Sequence, residues 1–118
     1  MSEADLQISV VHWLRVTQPQ ALVQHSANEG KRNVAYNVKL KRMGLTAGWP
    51  DLQIIFPPDQ FKKDVTPNDI YIELKYGKGR VSKKQKVILD KLADYGKYVA
   101  VCYSLNEVQT LLEEVVTL

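Results

Sequence analysis

The order of elements legible along this chain is helix, strand, helix, two strands, helix, strand, helix, which predicts an α/β fold with a mixed central sheet. Three observations support that class. Apolar residues recur at helical spacing near both ends of the chain. Between them lie short apolar or alternating stretches of strand length. Gly, Pro, Ser and Asn mark the boundaries. With 118 residues there is room for one core, so residues 1–118 are expected to form a single domain.

Ser2 caps the first helix, and Glu3 and Asp5 put acids in its first turn, where the helix dipole favours them. Leu6, Val10, Trp13 and Leu14 then repeat at helical spacing to about Thr17, before Gln18-Pro19-Gln20 breaks the pattern. Residues 21–25 read as a short strand and residues 26–33 as a polar loop. A shorter helix follows to about Met43, where Gly44 supplies a stop. The turn-rich run 44–50 leads into a strand at 51–56, and the polar, proline-containing residues 57–68 form a long surface connection. Ile70, Ile72 and Leu74 alternate with Tyr71, Glu73 and Lys75, making 69–75 the clearest strand. After a glycine-containing turn at 76–81, Ser82 caps a helix to about Tyr95; residues 97–103 form a last strand and 105–115 a closing helix.

Composition narrows the function. Hydrophobic and charged residues make up 45% and 25% of the chain, as in ordinary folded proteins. No apolar run is long enough to cross a membrane, and no basic-then-apolar leader precedes the first helix. Cys102 is the lone cysteine, reads as core, and has no Cys/His neighbours at zinc-ligand spacing, so a reducing cytoplasm is expected. The net charge is only +3, but it is sorted. Lys31, Arg32, Lys39, Lys41 and Arg42 share one acid-free window, and Lys75, Lys78, Arg80, Lys83, Lys84 and Lys86 share another. From Leu105 onward there are Glu107, Glu113 and Glu114 and no base. Such sorting suits a cationic face for a polyanion, and equally a solvated basic surface.

The chemistry starts at Glu73-Leu74-Lys75. Glu73 and Lys75 project from one face of their strand, an arrangement ordinary on a solvated edge. Asp51 changes its meaning. It opens the preceding strand behind Gly48-Trp49-Pro50, and if the two strands form a hairpin its carboxylate comes close to Glu73. Two adjacent carboxylates ionise together only with a cation between them. All-oxygen ligands suit a hard ion such as Mg²⁺ or Mn²⁺, able to polarise a phosphate oxygen and acidify water. Lys75, one pleat along, could orient that water or steady the developing charge. The lysines at 83, 84 and 86 add a second clue. Cations in the first turn of a helix are unfavourable by about 0.3–1 kcal/mol each at low salt, unless an anion docks there.

Gly44-x-x-x-Gly48-x-Pro50-Asp51, then Ile72-Glu73-Leu74-Lys75, then Ser82-x-x-Gln85 opening a helix, resembles the VRR-NUC branch of the PD-(D/E)XK nuclease superfamily. An N-terminal helix bearing Glu3 and the loop Asn28-Glu29-Gly30 fit the same branch. The resemblance implies a restriction-endonuclease-like core whose central sheet is flanked by helices. It implies Glu3, Asp51 and Glu73 as metal ligands with the Leu74 carbonyl as a further one, and Lys75 and Gln85 completing the catalytic set. Two features depart from it and bear on substrate preference: Trp49 stands where a smaller residue is expected, and residues 57–68 are long.

Several residues keep two readings. Gln85 also completes a capping box with Ser82. Glu3 competes with Asp5 for the same role; Glu3 shares a helical face with Gln7 and Val10. His25 could contact phosphate or metal, or be structural. Lys31, Arg32, Lys78, Arg80, Lys83, Lys84 and Lys86 are the expected DNA contacts. The reading that follows is a Mg²⁺- or Mn²⁺-dependent DNA endonuclease recognising shape rather than sequence. Small members of that branch resemble Holliday-junction resolvases, which implies a homodimer, branched DNA and a phage or bacterial setting. A non-catalytic nucleic-acid-binding module on the same fold is the alternative.

Overall fold

The computed structural model describes residues 1–26 and 33–118. Its first helix, α1 (Glu3–Thr17), begins in a reciprocal cap: the Ser2 hydroxyl accepts from the Asp5 N–H at 3.1 Å, and the Asp5 carboxylate accepts from the Ser2 N–H at 3.0 Å. That bond commits Asp5 to the cap. Leu6, Val10 and Leu14 form the buried stripe of α1, as their spacing predicts.

Four strands make one sheet in sequence order: β1 (Leu22–His25), β2 (Leu52–Ile55), β3 (Ile70–Leu74) and β4 (Tyr98–Cys102). β1 with β2 and β2 with β3 are antiparallel, whereas β3 and β4 are parallel. A parallel neighbour cannot follow a tight turn, and the crossover is the helix α3 (Lys83–Asp94). The mixed sheet flanked by helices is the expected fold class. Each strand is a residue or so shorter than its sequence pattern, because the flanking positions keep only single ladder bonds. Examples are Lys75 N–H to the Cys102 carbonyl at 3.0 Å and Ser26 N–H to the Asp51 carbonyl at 3.0 Å.

The two sheet faces differ. Leu52, Ile54, Ile70, Ile72 and Leu74 are fully buried among Leu6, Val10 and Leu14 of α1 and Val108, Leu112 and Val115 of α4 (Leu105–Val115). The opposite face carries Gln53, Tyr71 and Glu73. Alternation along β3 is compatible with a solvated polar face, yet all five β3 residues are buried, because the strand lies inside the sheet.

Two connections refine the expectations. α2 (Val34–Arg42), capped by Asn33 and closed at Gly44 (φ 111°), buries none of its residues. Residues 57–68 are more than a surface excursion. A 3-10 turn at Pro58–Gln60 leads to Phe61, which bridges Val116, and Lys62 N–H reaches the Val115 carbonyl at 2.9 Å. Among the described residues no helix is long and apolar enough to cross a membrane.

Candidate active site

Asp51 is delivered by a turn that only glycine permits. Gly48 has φ +83°, and a Cβ there would sit 2.6 Å from the Lys84 carbonyl carbon and oxygen and 2.8 Å from the Gln85 nitrogen. The turn therefore presses directly on the first turn of α3, locking Asp51 and Gln85 into one unit. Continuing the β2–β3 register by one step places Asp51 opposite Glu73, so the hairpin expected from sequence brings the two carboxylates together. The Leu74 N–H donates to Asp51 Oδ2 at 2.7 Å, fixing one oxygen of that carboxylate.

Glu73 is the pivot. It is 1% exposed. Its Oε2 accepts from Lys75 Nζ at 3.2 Å and from Gln85 Nε2 at 3.0 Å. Its Oε1 is buried and has no hydrogen-bond partner among the described residues. Burial, and next the charge of Asp51, push the Glu73 carboxyl up to about 7, with Lys75 pulling the other way. An unsatisfied buried acceptor costs about 1–3 kcal/mol, more if charged. The neighbouring Asp51 carboxylate can only share a proton with Glu73, and among the described residues no donor serves Oε1, so a cation or an outside donor can.

Glu3 faces the same point. Its carboxylate and those of Asp51 and Glu73 offer oxygens that all lie within 4.8 Å of one another. Three hard oxygen donors, one of them orphaned, fit a hard divalent cation such as Mg²⁺ or Mn²⁺. Of the two first-turn acids, Glu3 joins this cluster, whereas Asp5 is bonded to Ser2. The Leu74 carbonyl, the further ligand implied by resemblance, belongs to the residue whose N–H grips Asp51.

The two readings of Gln85 turn out to be compatible. Its Oε1 accepts from the Ser82 N–H at 2.9 Å, completing the capping box, while its Nε2 holds Glu73. The helix cap thus doubles as the support of the carboxylate. His25 proves to be a neighbour of the cluster: its Nδ1 lies 3.1 Å from the Asp51 carbonyl and 2.9 Å from Gln7 Nε2. Cys102 is buried in the core, with its thiol pushed up to about 11 by burial.

The basic residues separate into groups. Lys83 and Lys84 are exposed at the N-terminus of α3. Lys86, next to them, pairs with Asp90 at 3.3 Å on the surface, so its charge is partly matched within the helix. Lys78 and Arg80, with Gly77, Gly79 and Tyr103, line an open depression of about 440 Å³, and the Tyr103 hydroxyl donates to the Gly79 carbonyl at 3.0 Å. Lys31 and Arg32, and the loop Asn28-Glu29-Gly30, lie outside the described residues.

Sequence reasoning missed the contact of Gly48 with α3 and a second polar network on the same sheet face. There Gln53 Nε2 donates to Asp69 Oδ2 at 2.9 Å and to the Tyr71 hydroxyl at 3.2 Å. The signal was available. Asp51 and Gln53, like Tyr71 and Glu73, are two apart on their strands and so share a face.

The VRR-NUC domain profile matches residues 2–106 of the chain. A solved structure described as "VRR_NUC domain protein" superposes with a TM-score of 0.73 at 24% identity, covering 97% of this chain and 87% of that one. Another, described as "VRR_NUC domain", gives 0.62 at 18% identity, covering 96% and 97% respectively. At such identities these two likenesses speak for the fold. No curated protein matches the chain.

Proposed function

This chain belongs to the VRR-NUC domain family, a nuclease-type family, and on that premise we propose that it is a Mg²⁺- or Mn²⁺-dependent DNA endonuclease that hydrolyses phosphodiester bonds. The observation that carries the reading is the orphaned, buried Glu73 Oε1 inside a cluster of three carboxylates. The reading includes the PD-(D/E)XK superfamily placement, with Asp51, Glu73 and Lys75 as its core set.

Glu3, Asp51 and Glu73 would hold the ion. When bound, a divalent ion supplies Lewis-acid polarisation of a phosphate oxygen and lowers the pKa of water. The chain's own groups do the rest. Leu74 N–H keeps Asp51 from rotating, and Gln85 keeps Glu73 in place. Lys75 holds Glu73 Oε2 through one N–H, and its ammonium carries two further hydrogens that can orient an attacking water or a phosphate oxygen. The N-terminus of α3 with Lys83 and Lys84 offers a docking point for the DNA backbone, with Lys86, Lys78, Arg80, Lys31 and Arg32 extending it.

One such site cuts one strand, so paired cuts in branched DNA require two copies; the proposal therefore includes a homodimer acting on structures such as four-way junctions. The test is incubation with supercoiled plasmid and with a synthetic junction, with and without Mg²⁺ or Mn²⁺. Metal-dependent cleavage, lost in Asp51→Ala and Lys75→Ala, is the expected result. Absence of cleavage of any DNA would overturn the enzymatic reading, and equal cutting of linear duplex would remove the preference for junctions.

A further inference from the structure

Trp49 is the residue that the catalytic cluster leaves unexplained. It immediately precedes Pro50-Asp51, yet it is 38% exposed while Asp51 is buried. Its ring meets that of Tyr71 at 87° with centroids 5.9 Å apart. In a right-angled pair one ring presents only its edge, so Tyr71 covers at most one of the two indole faces. The indole also walls a cavity of about 410 Å³ that includes Gln24, His25, Leu45 and Thr46. Small-ligand sites typically span about 300–1,000 Å³ and combine apolar walls with a few polar groups, and this cavity has that make-up.

Its position narrows the occupant. His25 lines the cavity and also lies 3.1 Å from the Asp51 carbonyl. His25 therefore links the cavity directly to Asp51, a member of the carboxylate cluster. Trp49 is two residues before Asp51, so a nucleotide flanking a phosphate held at the cluster would lie on its side of the site. A base inside a continuous duplex has both faces covered by its neighbours, whereas an unstacked base has a face to offer an aromatic side chain.

We propose that Trp49 and the His25 cavity form a subsite for an unstacked nucleobase flanking the scissile phosphate, which selects single-stranded or branched DNA over continuous duplex. The proposal rests on the nuclease reading for its placement beside the scissile phosphate. It gives a reason for an indole where resemblance leads one to expect a smaller side chain. Gln24, Ser26, Thr46 and His25 supply polar atoms for the base edge, but the aromatic face carries the affinity, so discrimination among bases is weak.

The chain has two tryptophans, and Trp13→Phe leaves Trp49 as the sole indole. Its fluorescence is followed during titration, without metal, with a short oligothymidylate and with a blunt duplex. Quenching by the single strand and not by the duplex is expected. In the chain with Trp13 intact, Trp49→Ala should weaken single-strand binding by about tenfold, while Trp49→Phe, which keeps an aromatic face, stays within about twofold of the parent. Duplex affinity should be unchanged in both variants. No quenching, equal quenching by both DNAs, or full single-strand affinity in Trp49→Ala overturns the proposal. Because binding is read without metal, the two readings fail separately. An enzyme that cuts but shows no Trp49 contrast loses only the base subsite. A protein that shows the contrast but never cuts keeps the base site and loses the nuclease reading.

Discussion

The two faces of the central sheet are made by the same strands and differ in nearly every other respect. On one, Leu52, Ile54, Ile70, Ile72 and Leu74 join an apolar core with side chains from α1 and α4. On the other, Asp51, Gln53, Tyr71 and Glu73 meet the capped end of α3, the Gly48 turn and one another. All five residues of β3 are buried, whichever face they point to. A buried apolar face is stabilised simply by leaving water, whereas a buried polar face must find partners for its groups, and here Glu73 Oε1 has none among the described residues. The apolar face secures the fold, and the polar face carries an unmet demand that a ligand can satisfy.

The largest contrast should come from substituting neighbours on β3. Glu73→Gln is expected to reduce metal-dependent cleavage by about a thousandfold or more, the equivalent of roughly 4 kcal/mol of lost transition-state stabilisation, as read in initial rates on plasmid. Its melting temperature without metal should change little, because relief of burial and of repulsion from Asp51 is offset by leaving the buried Lys75 without its carboxylate partner. Ile72→Ala, one residue away, should do the reverse. Denaturant unfolding should show a loss of about 2–5 kcal/mol, with the variant that remains folded still binding metal.

The pH dependence of stability separates the faces next. The folded Glu73 carboxyl titrates near 7 and an unperturbed one near 4.5. Between those values the folded protein holds a proton that the unfolded chain has released, so metal-free stability falls as pH rises through that window. The fall should shrink in Glu73→Gln, which carries no titrating carboxyl at that position. Unfolding curves at several pH values check this, and a flat profile would place Glu73 in an ordinary solvated setting. Gly48→Ala is expected to cost more than the roughly 1–3 kcal/mol of a positive φ alone, because its Cβ would meet backbone atoms of α3 at 2.6–2.8 Å. Its cleavage rate should fall by more than its stability implies, since the turn delivers Asp51. Comparing the two losses in one preparation is the check.

Much of this was legible in the sequence, for identifiable reasons. Ser2, Ser82 and Gly44 are local signals, so the helix starts and the stop came within a residue or two, and the closing helix Leu105–Val115 was read at both ends. The pairing of β2 with β3, hence the meeting of Asp51 and Glu73, followed from two adjacent strands. What could not be read was which elements cover which face. Alternation along β3 says that Glu73 and Lys75 share a side, but not whether that side meets water or α3. The backbone bonds tying residues 57–68 to Val115 and Thr117 leave no trace in side-chain pattern. Spacing also cannot show that Gln85 uses its amide oxygen for the cap and its amide nitrogen for Glu73.

The central claim is that the polar face is completed by a divalent cation at Glu3, Asp51 and Glu73. Calorimetric titration of Mn²⁺ into the metal-free protein and into Glu73→Gln tests it most directly. The account predicts saturable binding to the parent chain, with proton release near neutral pH, and a loss of that binding in the variant. Equal binding to both proteins would contradict it.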